Sequence, residues 1–276
     1  METIITLTTD FGSEDAYAAA MKGVIMGINP RAIIVDISHS VRPQDVAQGA
    51  FVLSTVYPFF PDGTIHIVVV DPGVGSQRRA IILKTRTAVF VAPDNGVLSY
   101  VAHHALPGRC RSGTALEELP AGWEAFEITN PRLWRHPVSS TFHGRDIFAP
   151  TAAHISIGVP FEEFGRATDS INVFPIPQPE VLEGGDLMGH VLHIDRFGNI
   201  ITDVQRRDIS PEEFCLEVAG QRIQSLSRTY DEANGLLAII GSSGYLEIAL
   251  KNGSAARFLG ARIGDGLRIT RECREP

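Results

Sequence analysis

Thr64-Ile65-His66-Ile67-Val68-Val69-Val70-Asp71-Pro72-Gly73-Val74-Gly75 is an apolar run that ends in aspartate and then turns sharply. The same phrase occurs three more times in the first hundred residues. Ile4–Thr9 ends at Asp10-Phe11-Gly12, Ala32–Val35 ends at Asp36, and Ala88–Ala92 ends at Pro93-Asp94-Asn95-Gly96. The runs are rich in Ile and Val without strict polar alternation, the pattern of parallel strands covered on both faces. Ser13-Glu14-Asp15 offers a cap and acidic residues ahead of a helix over Ala16–Ile28, which Asn29-Pro30 stops. Pro43 reads as the first residue of a second helix, with Val46, Ala50, Leu53 and Tyr57 on one face. Strand, helix, strand, helix, strand is the grammar of an α/β domain on a largely parallel sheet. Ligands of such sheets bind beyond the carboxyl ends of the strands. The four aspartates are therefore expected at one rim, facing a small molecule that carries positive charge or hydroxyls.

The chain has 276 residues, 44% hydrophobic and 20% charged, enough for one large or two ordinary domains. A net charge of −8 argues against nucleic acid, whose phosphates need a basic surface. The longest uncharged stretch, Val46 to Pro61, is too short to cross a bilayer, and Met1-Glu2-Thr3 carries no basic leader, so no membrane partner is expected. Cys110, Cys215 and Cys273 are widely separated and odd in number, which reads as incidental thiols in a reducing cytoplasm. Their spacing and that of the histidines match no metal site.

Residues 102–137 read as short helix and loop, and Asp146–Ile157 as a helix. Pro175, Pro177, Pro179 and Gly184-Gly185 then mark residues 171–186 as a stiff linker between an N-terminal domain, 1–170, and a C-terminal one, 187–276. The second domain holds short apolar segments at His190–Ile194, Asn199–Val204, Phe214–Val218, Leu236–Ile240, Tyr245–Ala249 and Gly266–Thr270. Turn residues at Ala219-Gly220 and Gly241–Gly244 separate them, so a small β-barrel or sandwich is expected.

Four clusters carry chemistry. Asp71 stands on a glycine-rich turn with Arg78 and Arg79 close behind; the same spacing also suits a turn-capping aspartate with solvated arginines. His143, in Thr141-Phe142-His143-Gly144-Arg145-Asp146, has the ordinary pKa of a general base, or is a histidine satisfied by Asp146 or backbone. Asp195-Arg196-Phe197-Gly198-Asn199 and Ser242-Ser243-Gly244-Tyr245-Leu246-Glu247 each also read as plain turns.

In this order, together with Thr8–Gly12 and Pro43-Gln44-Asp45-Val46, these motifs resemble the S-adenosyl-L-methionine hydroxide adenosyltransferase family, relatives of the halogenating fluorinase and chlorinase. The resemblance runs from residue 4 to about residue 270. It implies a Rossmann-like N-terminal domain, a C-terminal β-barrel, and a homotrimer whose ligand lies between the N-terminal domain of one subunit and the C-terminal domain of its neighbour. The implied reaction is S-adenosyl-L-methionine plus water giving adenosine and L-methionine, by attack at ribose C5′ and without a cofactor. Carried over by position, the catalytic set is Asp71, Arg78 and His143, with Arg79 as an adjacent alternative to Arg78. Asp10 falls at the ribose, Asp15 and Asp195 at the methionine end, and Asn199, Ser243 and Asn252 around the adenine. Tyr17, Gln44, Phe142, Ser242 and Glu247 complete the substrate-binding set. The halogenases carry tyrosine at the positions of Asp71 and His143, and Gly144 stands where the fluorinase has Ser and the chlorinase Gly. A halide-using enzyme and a non-catalytic nucleoside sensor are the competing readings.

Overall fold

The computed structural model describes residues 2–105, 115–116, 118–210, 214–232 and 234–270. They divide into two compact units, Met1–Ile176 and Pro177–Pro276. In the first, β1 (Ile4–Thr9) is followed by α1 (Tyr17–Ile28), β2 (Ile33–Ser38), α2 (Val46–Ser54), β3 (Thr64–Val69), β4 (Ala80–Lys84), β5 (Ala88–Pro93) and α3 (Ser99–Ala105). Then come β6 (Ala115–Leu116), β7 (Glu124–Ile128), α4 (Ala149–Ser156), β8 (Gly165–Thr168) and β9 (Ile171–Asn172). Seven strands form one sheet in the order β2-β1-β3-β5-β4-β7-β8. The Ile/Val runs β2, β1, β3 and β5 pair in parallel, as their two-sided hydrophobicity requires, and every residue of β3 is buried. Ile5, Leu7, Ile65 and Ile67 pack one face against Met21, Ile25 and Phe148, while Val68, Ile81 and Phe90 pack the other against Leu53 and Val101.

The other half of the sheet departs from the sequence expectation. β4 runs antiparallel between β5 and β7, and β7 lies inside the stretch expected to be helix and loop. Both are five residues long and adjoin tight turns, so pairing with a central strand fixes them more than any local pattern does.

Two helix starts also differ. The N-cap of α1 is Ala16, with no side-chain cap, and Ser13, Glu14 and Asp15 are exposed in the bend before it. Gly12 N–H bonds the His39 carbonyl at 2.7 Å, so the chain leaving β1 is held toward the end of β2 before the helix begins. α2 begins at Val46 rather than Pro43, capped by Asp45, which accepts the Gln48 N–H at 2.8 Å. Gln44 has φ +66°, which no helix accepts, and its N–H donates to Asp10 Oδ2 at 2.8 Å. What reads as a helix start is a loop drawn to the rim of the sheet. Tyr57 follows in a separate 3₁₀ turn.

The expected linker is partly taken up by structure: Ile171–Asn172 pairs with β6, and Val173 is buried in the first unit. The second unit contains β10 (Glu180–Val181), β11 (Leu187–Ile194), β12 (Ile200–Gln205), β13 (Cys215–Val218), β14 (Gln221–Ile223), β15 (Leu226–Ser227), β16 (Leu236–Ile240), β17 (Tyr245–Leu250), α5 (Ala255–Leu259) and β18 (Gly266–Thr270). The order β14-β13-β18-β11-β12-β17-β16-β15 curls into a nearly closed barrel around Val191, Ile200, Leu216, Leu246 and Ile248. Cys215 is disulfide-bonded, which overturns the reading of incidental thiols and with it the cysteine argument for a reducing compartment. Cys110 and Cys273 lie outside the described residues. Among the described residues, no helix is long and apolar enough to cross a membrane.

Candidate active site

Parallel pairing of β1 with β3 sets Thr9 beside Val69, so the two chains leave the sheet side by side and carry Asp10 and Asp71 to the same place. A cavity of about 530 Å³ opens there, a size suited to a small molecule. Asp10, Tyr17, Gln44, Asp71, Phe142 and His143 line it, all six singled out in the sequence, along with Phe11, Val69, Pro72, Val74 and Thr141. Asp36 and Asp94, the other two strand-end aspartates, do not. Asp36 lies inside β2 and pairs with Lys22 at 2.5 Å. Asp94 turns into the interior, 3% exposed, where Arg79 and Asn172 hold it.

Arg78 joins the two catalytic candidates. Its Nε donates to Asp71 Oδ1 at 2.9 Å, and its Nη2 donates both to Asp71 Oδ2 at 2.5 Å and to His143 Nδ1 at 2.8 Å. A guanidinium has no acceptor, so Nδ1 of His143 accepts, and the ring proton sits on Nε2. Burial, and then the positive charge of Arg78, push the His143 pKa below its ordinary 6.5, against the opposing pull of Asp71 and Asp146. The imidazole is therefore neutral at pH 7 and presents an N–H on its unbonded side. It is not satisfied by Asp146, which binds elsewhere. Arg79 faces away: it donates to Asp94 Oδ2 at 2.8 Å, Thr168 Oγ1 at 3.1 Å and the Ser170 carbonyl at 3.1 Å. Geometry thus separates the two adjacent arginines.

The loops that carry these groups abut at a glycine. Gly75 has φ +78°, and a Cβ there would sit far inside contact distance of the Ser140 carbonyl oxygen. Only glycine lets the turn after Asp71 lie against the loop before His143. Phe11, Tyr17 and Phe142 form an aromatic wall, with centroids 5.1–5.7 Å apart and tilted or edge-on rings. Asp15 lies on the exposed bend before α1 and does not line the cavity.

The second unit carries its own cluster. Asp195 Oδ1 accepts the N–H groups of Phe197 at 2.9 Å and Asn199 at 2.8 Å, and Asn199 Nδ2 donates to Oδ2 at 2.9 Å. Glu247 is 8% exposed and accepts from Tyr230 Oη at 2.6 Å. Burial raises its pKa; Tyr230 opposes that rise and Asp195 adds to it. Tyr230 itself is pushed up to about 12 by burial and by Glu247. Ser242 and Ser243 sit exposed in the turn between β16 and β17, and Asn252 at φ +57° in the turn after β17. Tyr230 had no signal in the sequence, because it lies in an irregular stretch with no motif around it.

Comparison with known proteins decides the relationship. Residues 5–165 match the model of the SAM hydroxide adenosyltransferase N-terminal domain, and residues 189–268 that of the C-terminal domain. The chain belongs to this family. A protein of Salinispora arenicola named (R)-S-adenosyl-L-methionine hydrolase is 38% identical over 269 residues, 96% of this chain and 97% of its own length. A fluorinase of an Actinoplanes species is 31% identical over 75% of this chain and 73% of its own. The crystal structure of a conserved protein from Thermotoga maritima superposes with a TM-score of 0.84 at 35% identity, covering 98% of this chain and all of that one.

Proposed function

We propose that this protein hydrolyses S-adenosyl-L-methionine to adenosine and L-methionine by attack of water-derived oxygen at ribose C5′. The observation that carries the reading is the bridge Asp71–Arg78–His143, whose two ends, Asp71 and His143, line the same cavity as Asp10. The new bond is C5′–O, the C5′–S bond breaks, and its electron pair neutralises the sulfonium, so departure needs no acid. The difficulty is the nucleophile. Arg78 and the Nε2–H of His143 are both donors, and donors fixed in a poorly hydrated place favour hydroxide over water there. His143 then acts by holding the nucleophile rather than as a base, and the proton passes to solvent. Asp71 fixes the guanidinium. The relatives support hydrolysis over halogenation, since the named hydrolase matches at 38% identity over 96% of this chain and the fluorinase at 31% over 75%. Asp10, with Gln44 locked beside it, suits the two ribose hydroxyls, and the relatives' name supports the (R) form of the substrate.

The residues given to the substrate are split between the two units, Asp10, Tyr17, Gln44 and Phe142 in the first and Asp195, Asn199, Ser242, Ser243, Glu247 and Asn252 in the second. We infer a homotrimer in which a neighbouring chain completes each site, acting in the cytoplasm. Purified protein incubated with S-adenosyl-L-methionine in oxygen-18 water should give adenosine labelled at the 5′-hydroxyl. Unlabelled adenosine, or a halogenated nucleoside as main product, overturns the reading. For the assembly, inactive Asp71→Ala and Asn199→Ala chains should regain activity when mixed, and a fully active monomer in sedimentation would remove that part.

A further inference from the structure

Asp146 lies three residues after His143 and is completely buried, 0% exposed, in a position where a carboxylate must be fully hydrogen-bonded. It is. Arg145 grips it with two parallel bonds, Nε to Oδ1 at 2.7 Å and Nη2 to Oδ2 at 2.8 Å. Arg135 reaches Oδ1 at 3.3 Å, and the Ser139 N–H donates to Oδ2 at 2.9 Å. The main chain repeats the tie: Arg135 N–H bonds the Asp146 carbonyl at 2.9 Å. Arg145 also lies over the Phe142 ring, 5.0 Å from its centroid. Burial alone would raise the Asp146 carboxyl, but the Arg145, Ser139 and Arg135 contacts outweigh it and hold the group ionised.

These contacts bracket the loop 139–143 at both ends. Ser139 is held at its start, and Phe142 at its end is fixed by the cation stacked on it. His143 follows as the N-cap of a π-helical segment, Gly144–Phe148, rather than of a regular α-helix. Its 2.8 Å contact with Arg78 is reached across two loops and depends on where this one is pinned.

We propose that Asp146 is a positioning residue for the reaction: with Arg145 as its clamp, it sets the loop that aims His143 at Arg78 and holds Phe142 in the cavity wall. The inference rests on the catalytic reading above. Asp146→Asn keeps an acceptor for the Ser139 N–H and removes the charge that Arg145 and Arg135 need. Turnover should fall about tenfold or more, the scale of a slightly misplaced catalytic group, with KM for S-adenosyl-L-methionine changed less than about twofold.

The His143 ring titration, followed by NMR, supplies a readout that a merely structural role would not move. Arg78 and Asp71 face the ring from the opposite loop, and Asp146 and Arg145 lie on its own. If the loop is released and His143 parts from Arg78, the titration should move up toward the ordinary value, because burial and the guanidinium hold it down; loss of the Asp146 charge with the loop still in place would carry it down instead. Should Asp146→Asn fail to fold, Arg145→Lys decides the matter, since it keeps the charge but loses the fork and the stacking, and turnover should drop severalfold. Wild-type turnover with a His143 titration unmoved or only lowered, in whichever variant folds, overturns the proposal. A wild-type protein inert toward the substrate would instead remove the functional reading, leaving the titration to judge the clamp.

Discussion

Gly75→Ala tests whether the contact between two loops carries the chemistry. The added Cβ would lie under 3.0 Å from the Ser140 carbonyl oxygen, whereas carbon and oxygen rest at about 3.3 Å or more. Both partners are fixed backbone, so the loops must part by roughly 1 Å. Added to the 2.8 Å between Arg78 and His143, that opening takes the pair beyond hydrogen-bond reach. A displacement of this size costs on the order of a hundredfold in turnover. The positive φ adds strain of its own, about 1–2 kcal/mol for an alanine. Gly63→Ala isolates that strain: Gly63 has φ +84° and nothing within 4 Å of its Cβ position, and it is remote from the cavity. Both variants should lose stability in denaturant melts, Gly75→Ala more because the overlap adds to the strain, and Gly75→Ala alone should lose kcat in a chromatographic assay of adenosine release. Wild-type kcat in Gly75→Ala, or equal losses in the two, would refute the reasoning.

Arg78→Ala should lower turnover by about two orders of magnitude, the scale of a lost electrostatic contact to a reacting group, and should also cost stability because it strips the charge partner from the buried Asp71 carboxylate. Arg79→Ala should act mainly on stability, costing about 2–3 kcal/mol because it strips the charge partner from buried Asp94; a larger loss of turnover in Arg79→Ala than in Arg78→Ala would mean the wrong arginine was chosen. The rate should show no inflection at the ordinary histidine value, since the His143 pKa lies below 6.5, and should keep rising with hydroxide above neutrality; a plateau set in at pH 6–7 would restore His143 as a base. His66 is buried against Phe90 and its pKa falls from 6.5 to about 4. Between those values the unfolded chain binds a proton that the folded one refuses, so its contribution, present above 6.5, is lost as pH falls toward 4, by roughly 3 kcal/mol. His66→Phe should flatten the fall in melting temperature over that window, and an unchanged slope would count against it.

The parallel half of the sheet was legible because its strands are Ile/Val-rich and three of them, β1, β3 and β5, are almost wholly buried, so local pattern and tertiary environment agree. β4 and β7 were not, because each is a five-residue segment fixed by its neighbours, β4 between β5 and β7, and β7 between β4 and β8. The disagreement at Pro43 is of another kind. Pro43-Gln44-Asp45 has the composition of a helix start, yet Asp10 pulls the Gln44 N–H to the rim and leaves Asp45 as the cap. Local grammar yields there to the needs of the cavity. For the site, Asp10, Tyr17, Gln44, Asp71, Phe142 and His143 of the first unit line one cavity while Asp15 does not, and the role of His143 did not follow from its type. Its tautomer is set by Arg78, sixty-five residues earlier in the chain.

One of the two unused strand-end aspartates, Asp94, has a related explanation. Arg78 and Arg79 lie just before β4 and take different partners. Arg78 bonds Asp71 and His143, which line the cavity, and Arg79 turns to Asp94. A cation facing the interior needs a buried anion, and Asp94, at the turn that leaves β5, supplies it with Asn172 completing its bonds. The pair locks the start of β4, and by locking it decides which way Arg78 points. The neighbouring Asn95 adds to this by donating its side-chain amide to the Val70 carbonyl, one residue before Asp71. The turn Pro93-Asp94-Asn95-Gly96, which resembles a ligand-binding rim in sequence, thus serves the rim from behind. It fixes the two partners of a single hydrogen-bonded bridge, Asp71 through Asn95 and Arg78 through Arg79.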